Sequence, residues 1–390
     1  MRVLLASRIF QPEAAAASFR LAALAEGFAR AGHSVTVLTT TPVSSLAGEA
    51  RAQDAACGYT VRRAPVLRDG DGYVRGYVQY MSFDIPLFFR ILFGKRHDLM
   101  VVEPPPTTWL FAHAAAALRG IRVVPYAADV WSDASESTGA PGFVVRFVRW
   151  MERRVMNRGA GVLAVNDGVE ARVREIAPRA NIATVGNGID TDVFTTHGPV
   201  AESSNYAIYS GTASEWQGAE VFVRAAAQLQ QEGHAVEVVF LGQGSALPEL
   251  RALADELDAP VRFVDSVPPA EAAAWIRGAR MSLASIKPGA GYDFAYPTKI
   301  FAAWACGTPV LYAGPGPARE QLAAEPLLGI GSEHDAPQVA AAMVALLARD
   351  TTAMRETIGA WAQQHVSLQG VAARAVAFSE EVATRGTTTR

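Results

Sequence analysis

Short, uninterrupted apolar runs alternate along this chain with longer stretches whose apolar residues recur at helical spacing. Residues 3–7, 34–40, 99–103, 122–126 and 161–165 read as buried strands, separated by helical stretches such as 19–30 and 109–118. Strands that are apolar throughout, each followed by a helix, are the pattern of a parallel sheet covered by helices on both faces. The alternation restarts after Asn187. Residues 206–210, 236–241, 261–264, 281–284 and 310–312 form a second set of strands, with helices over 219–232, 247–257, 270–277 and 297–306. The pattern predicts an α/β protein of two doubly wound, Rossmann-like sheets, with residues 1–182 in a first domain and 183–370 in a second. The segment around 183–197 is the expected hinge, and a last helix spans 371–384.

Ligands of doubly wound sheets bind beyond the carboxyl ends of the strands, so two facing sheets predict a site in the cleft between them. The loops after the strands become the search area, chiefly 7–20, 103–107, 128–133, 211–218, 242–245, 265–267 and 289–296. Composition narrows the chemistry. The 390 residues exceed what one core organises, and a net charge of −3 with 50% hydrophobic residues gives no global reason to expect nucleic acid. Cys57 and Cys306 have no metal or redox spacing, the seven histidines are scattered, and no metal site is expected. Residues 1–5 read as a buried strand rather than the start of an export signal, and no apolar run is long enough to span a bilayer, so a cytoplasmic protein is expected. The glycine fingerprints of dinucleotide dehydrogenases and P-loop enzymes are absent, as is the nucleophile elbow of α/β hydrolases.

The segment from Tyr296 to Leu311 is the most distinctive. Pro297 opens a helix, Thr298 and Lys299 fall in its first turn, and Gly307 stands where it stops. A lysine in the first turn opposes the helix dipole unless an anion arrives, so the segment reads either as an anion site or as a buried helix with one exposed lysine.

This run resembles the lysine segment of the large retaining glycosyltransferase family 4, whose members have the GT-B fold of two Rossmann-like domains. Collinear matches support the resemblance: Met1 to Ser7, Phe10 to Glu13, Arg20 to Ala22 and Ala31 to Thr39 resemble the family's first strand, loop, helix and second strand. Ala128 to Asp133 is similar to a loop of the bacterial O-antigen and capsule branch, and Asn187 to Asp190 to the start of the second domain. The resemblance implies a retaining, metal-independent transferase that moves a sugar, of hexosyltransferase type, from a nucleoside-diphosphate sugar to a hydroxyl acceptor. Lipid-linked glycans and secondary metabolites are the acceptor classes, and polysaccharide biosynthesis is the implied setting. No cofactor is implied beyond the nucleotide-sugar co-substrate. The last helix would cross back onto the first domain.

Residue by residue, Asp129 and Lys299 are the candidate catalytic pair, with Asp129 alternatively capping the helix that follows. Candidate donor contacts are Arg20, Gly211, Gln217, Gly242, Gly244, Ser266, Val267, Gly289, Gly291, Asp293, Thr298 and Glu320. Gly289 and Gly291 would let backbone approach the donor, whereas Gly242 and Gly244 read more readily as a tight strand-to-helix turn. Glu103, Trp131 and Asp133 would shape the acceptor pocket. Residues 73–93 and 143–158 interleave aromatic with basic side chains, the composition either of a peripheral membrane contact or of ordinary helices with a solvated basic face.

Departures from the family pattern keep other readings open. Phe294 and Ala302 stand where the family commonly has two glutamates, the second of which grips the donor ribose; Asp293 or Glu320 are the candidate replacements. Ala14 to Ala17 replace a glycine pair, and Thr212 and Gln217 stand where arginine and lysine are usual. The alternatives are a catalytically silent GT-B protein that binds a partner or glycan, and an epimerase or hydrolase on the same fold.

Overall fold

Val3, Leu4 and Leu5 have no solvent exposure, and the same holds from Leu99 to Val102, because both runs lie in the interior of one parallel sheet. In the computed structural model, which describes residues 1–385 apart from 14, 71, 138, 202–204, 290–291, 294 and the side chains of 137, 351 and 352, the chain forms two compact units. The first begins β1 (Arg2–Ala6), α1 (Ala16–Arg30), β2 (Ser34–Thr40), α2 (Ala47–Ala56), β3 (Thr60–Ala64), α3 (Tyr77–Phe93) and β4 (Leu99–Val102). It continues with α4 (Pro106–Arg119), β5 (Arg122–Ala127), α5 (Trp131–Ser137), α6 (Gly142–Met156), β6 (Val162–Ala164), α7 (Asp167–Ile176) and β7 (Ile182–Thr184). All seven strands are parallel, in the order β3-β2-β1-β4-β5-β6-β7.

The second unit, Gly188–Ser367, has six parallel strands. They alternate with helices as β8 (Tyr206–Ser210), α8 (Glu220–Gln231), β9 (Glu237–Leu241), α9 (Leu247–Glu256), β10 (Val261–Val264), α10 (Pro269–Gly278), β11 (Met281–Ser285) and α11 (Lys299–Ala305). Then come β12 (Val310–Ala313), α12 (Pro317–Ala324), β13 (Gly329–Ser332), α13 (Ala336–Leu347) and α14 (Thr351–His365), with the sheet ordered β10-β9-β8-β11-β12-β13. The chain then re-enters the first unit as α15 (Leu368–Thr384), which packs on α1.

Three strands were not visible in the sequence pattern. β3 carries Arg62 and Arg63, and β7 is a three-residue edge strand; β7 pairs with β6, so the first unit runs to Asn187 rather than ending at residue 182. β13 begins with Gly329, where a Cβ would sit 1.9 Å from the Val310 carbonyl oxygen, so only glycine lets this strand close on β12. The helix expected over 297–306 is shorter, seven residues beginning at Lys299, and its Trp304 is fully buried with Nε1 donating to the Leu328 carbonyl at 2.9 Å.

The α1–α15 contact is close because Gly27 leaves room: a Cβ there would meet the Ala372 Cβ at 3.3 Å and Val376 Cγ2 at 3.4 Å. Gly27→Ala should be near neutral, since a tight contact opposes a gain of about 1 kcal/mol in helix propensity. Gly27→Leu should lower the stability of the first unit by about 1–3 kcal/mol, read as an earlier midpoint in urea unfolding, because the helices cannot part without exposing their shared apolar face.

Candidate active site

In a doubly wound sheet the loops diverge where the strand order reverses. That reversal falls between β1 and β4 in the first unit and between β8 and β11 in the second. In each unit several of the sequence-predicted residues lie in the loops beyond the carboxyl ends of these strands.

In the second unit, Ser210, Gly211 and Thr212 at the end of β8, Trp216 and Gln217 just beyond, and Thr298, Lys299 and Ala302 border a cavity of about 490 Å³. Lys299 is fixed in it by two interactions. Its ammonium lies 3.4 Å from the centre of the Tyr209 ring and donates to the Thr212 carbonyl oxygen at 3.0 Å. Burial pulls its pKa well below that of an ordinary lysine, since no acid among the described residues faces it to offset the lost hydration. Gln217 supports this arrangement from behind: its Oε1 accepts from the Tyr209 hydroxyl and from the Ser214 N–H, both at 3.0 Å. The first turn of α11 is tightly closed, Ile300 and Phe301 donating their N–H groups to the Pro297 and Thr298 carbonyls. The positive charge offered to a ligand here is therefore mainly the lysine's, more than that of an open helix terminus.

Several expected donor contacts have other work. Gly242 and Gly244 do not border the cavity. A Cβ on either would fall 2.2 Å from Gly211 O or 2.0 Å from Ala213 O, so the two glycines let their loop press on the backbone that carries Thr212. The Asp293 carboxylate accepts from the Gly289 N–H at 3.1 Å, and Glu320 stands exposed on α12; neither borders the cavity beside Ala302. Ser266 and Val267 follow β10 at the same sheet edge, with Val267 packed on the apolar cluster below. Gly291 and Phe294 lie outside the described residues. The sequence reading missed Tyr209, which carries the lysine, and the stacking of Trp216 on Tyr292 at 4.6 Å.

The first unit holds a second group of charges. Arg20 is 7% exposed and Glu103 4%, and they form an ion pair while the Arg20 guanidinium lies 4.7 Å from the Tyr126 ring centre. Arg20 is thus committed within the first unit to Glu103 and Tyr126, and is not a ready contact for a diphosphate. Burial raises the Glu103 carboxyl, against the opposing pull of Arg20. Asp129, directly after β5, is crowded by protein yet open to solvent on one side, as a group in a concavity is; that crowding raises its carboxyl too, again opposed by Arg20. A carboxyl so raised keeps its proton to higher pH than an ordinary one. Asp133 is not free to shape a pocket: Arg172 grips it at 2.6 and 2.8 Å.

Residues with no motif complete this site. The fully buried Glu152 of α6 accepts from the Trp131 N–H at 2.7 Å and the Ser132 N–H at 3.3 Å, tying down the loop that carries Asp129. Arg8, after β1, lies 4.3 Å from the ring centre of Tyr80 and 5.8 Å from that of Trp131, and borders a cavity of about 260 Å³ with Glu13, Arg68 and Arg75. Behind Arg8, buried Asp84 has its carboxyl raised to about 6 by burial. The only sequence sign of Arg8 was its place in a loop after a strand.

Two family models match the chain: a glycosyl transferase 4-like domain over residues 16–188 and a glycosyl transferases group 1 domain over residues 204–349. No curated protein matches at a comparable level. Among solved structures, sucrose-phosphate synthase from Thermosynechococcus elongatus is 16% identical with a TM-score of 0.74, covering 98% of each chain. The Anabaena protein HepE, solved with UDP, is 14% identical at 0.71, covering 98% of this chain and all of its own. A glycosyltransferase from Rickettsia africae is 15% identical at 0.71, covering 98% of each. At such identities the likeness is one of fold, and it extends over nearly the whole chain. With two glycosyltransferase models matched in succession on two Rossmann-like units, the chain is a glycosyltransferase of the GT-B fold, built from a glycosyl transferase 4-like domain and a group 1 domain.

Proposed function

We propose that this enzyme is a retaining, metal-independent transferase of family 4, of the O-antigen and capsule branch, working in the cytoplasm in polysaccharide biosynthesis. It moves a hexosyl group from a nucleoside-diphosphate sugar to a hydroxyl of a lipid-linked glycan or secondary metabolite, touching the membrane peripherally where the acceptor is lipid-linked. The second unit takes the donor, with Lys299 against the diphosphate and Thr298, Gly211 and Thr212 around it. The first unit takes the acceptor near Asp129 and Trp131. The observation that carries this reading is the lysine ammonium held in a cavity with no acid among the described residues paired to it. An ammonium in that state gains most from a multiply charged anion, and HepE was solved with UDP on the same fold.

In the reaction the bond between the sugar C1 and the diphosphate oxygen breaks and a bond from C1 to the acceptor oxygen forms on the same face. The acceptor's proton passes to the departing diphosphate, whose growing charge Lys299 stabilises. Asp129 orients the acceptor. Fixed donors of this kind are worth about 3 kcal/mol to a developing oxyanion. The absence of an acid beside Ala302 among the described residues weakens the hold on the ribose without touching the diphosphate contact.

A thermal-shift panel of nucleoside diphosphates and their sugars tests the reading directly: a ligand at about 100 times its dissociation constant adds about 2.7 kcal/mol of stability. Stabilisation by none of them would overturn it. Lys299→Ala should lower turnover about a hundredfold or more with the unfolding midpoint of the free protein little changed or raised, and near-normal turnover would remove the lysine from the mechanism.

The pH dependence has a definite sign. Lys299 is lowered from its ordinary value, so its charge is lost as pH rises through that lowered pKa, and the diphosphate loses its cation. Nucleoside diphosphate affinity should fall with rising pH earlier than the charge of an ordinary lysine would be lost, above the range where the ligand's own phosphate titrates, and Lys299→Met should flatten the profile. Equal slopes in the two proteins would show that another group controls binding.

A further inference from the structure

The outer surface of α3, α4 and α6 has no part in the chemistry above. These helices cover one face of the first sheet, with α4 packed against both α3 and α6. Fifteen large apolar side chains are exposed among the described residues, and nine of them lie on these three helices. Phe93 is 78% exposed, Phe143 68% and Trp150 50%. Phe89 stacks on Phe93 at 6.2 Å and Phe147 on Trp150 at 5.6 Å, so the rings are held as pairs facing solvent. Between α3 and α4 a trough of about 420 Å³ is lined by apolar residues alone, among them Ile85, Phe89 and Phe111. Single exposed apolar residues are ordinary, but their concentration on one face marks an interaction surface.

Charge selects the partner. The three helices contain two acids, Asp84 and Glu152, and both are fully buried. Their exposed charges are basic: Arg146, Arg153 and Arg154 on α6, joined by Lys95 and Arg96 just after α3. On the flanking segments, Glu136 of α5 is paired with Arg149 at 3.0 Å, and Asp98, which follows Lys95 and Arg96, is paired with Arg2 at 3.4 Å. Two copies of this face meeting about a two-fold axis would set arginine against arginine, with the flanking carboxylates already paired within each copy. A surface that is apolar inside and anionic outside answers both features. We propose that the α3–α4–α6 face adsorbs to membranes containing anionic lipid, its aromatic rings at the boundary of headgroups and acyl chains and its arginines on lipid phosphates. None of the described helices is long and apolar enough to cross a membrane, so contact is from one side. The inference extends the lipid-linked acceptor reading, and adsorption is measured without turnover.

Co-sedimentation with vesicles tests it. The protein should sediment with phosphatidylcholine vesicles containing about 30% phosphatidylglycerol, stay in solution with phosphatidylcholine alone, and be released by about 0.5 M salt. Replacing Arg146, Arg153 and Arg154 with serine should weaken the association at least about tenfold. Phe147→Ser with Trp150→Ser should weaken it as well, while nucleoside diphosphate binding stays unchanged in both variants and a wild-type circular dichroism spectrum and unfolding midpoint show that the first unit is folded. No sedimentation with anionic vesicles at low salt, or wild-type sedimentation of the arginine variant, would overturn the proposal. So would a dimer seen by light scattering that the aromatic variant makes monomeric, since the occupant of the face would then be a second copy. Loss of vesicle binding with intact nucleotide binding counts against this surface alone, and the reverse counts against the donor site alone.

Discussion

A parallel sheet can neither leave a face bare nor turn back on itself, so its strands are linked by helices that cross from one face to the other where the strand order reverses. In this enzyme that happens twice, between β1 and β4 and between β8 and β11. At each reversal the flanking loops are carried to opposite faces and a gap opens at the carboxyl edge. Arg8, Glu103 and Asp129 follow the strands at the first reversal and its neighbour β5, and Gly211, Thr212 and Lys299 gather at the second. The chemistry is local to these loops, but the constraint that places them is global.

The two groups of charges are held in opposite ways. Arg20 and Glu103 are buried and mutually neutralised, an arrangement that brings little net stability but fixes the geometry around Tyr126 and Asp129. Lys299 is crowded by protein at the edge of a cavity and held by a ring face and a carbonyl oxygen, with no acid among the described residues paired to its charge. A protein holds a charge that way at some cost, and recovers it when the missing counter-charge binds. The first group is paired within the protein, while the second has no counter-charge among the described residues.

Glycine enforces much of this packing. Gly242 and Gly244 allow a backbone approach that no side chain permits, and they brace the Gly211–Thr212 segment against which Lys299 rests. Their contribution to the site is indirect, through the loop they support. The same close approach recurs at Gly329, where it decides whether the last strand joins the sheet at all.

The strands around both reversals and the existence of two α/β units were legible in the sequence because they follow from local pattern, apolar runs long enough to be buried, and Lys299 stood out there as an unusual lysine opening a helix. β3, β7 and β13 were not, since arginine, brevity and glycine each erase the apolar signal while pairing with a neighbouring strand supplies the missing stability. The ring of Tyr209, the buried tie from Glu152 and the cage around Arg8 also had to wait for the fold, because each joins residues many positions apart and pairwise proximity leaves no mark on local periodicity. Likewise the sequence offered Asp133, Asp293 and Glu320 as functional acids; Arg172 and the Gly289 N–H claim the first two, and the third stands apart from the cavity. Sequence determined which residues carry charge and which segments are buried. Tertiary structure decided which charges are already compensated, since compensation depends on distances that only the packed chain sets.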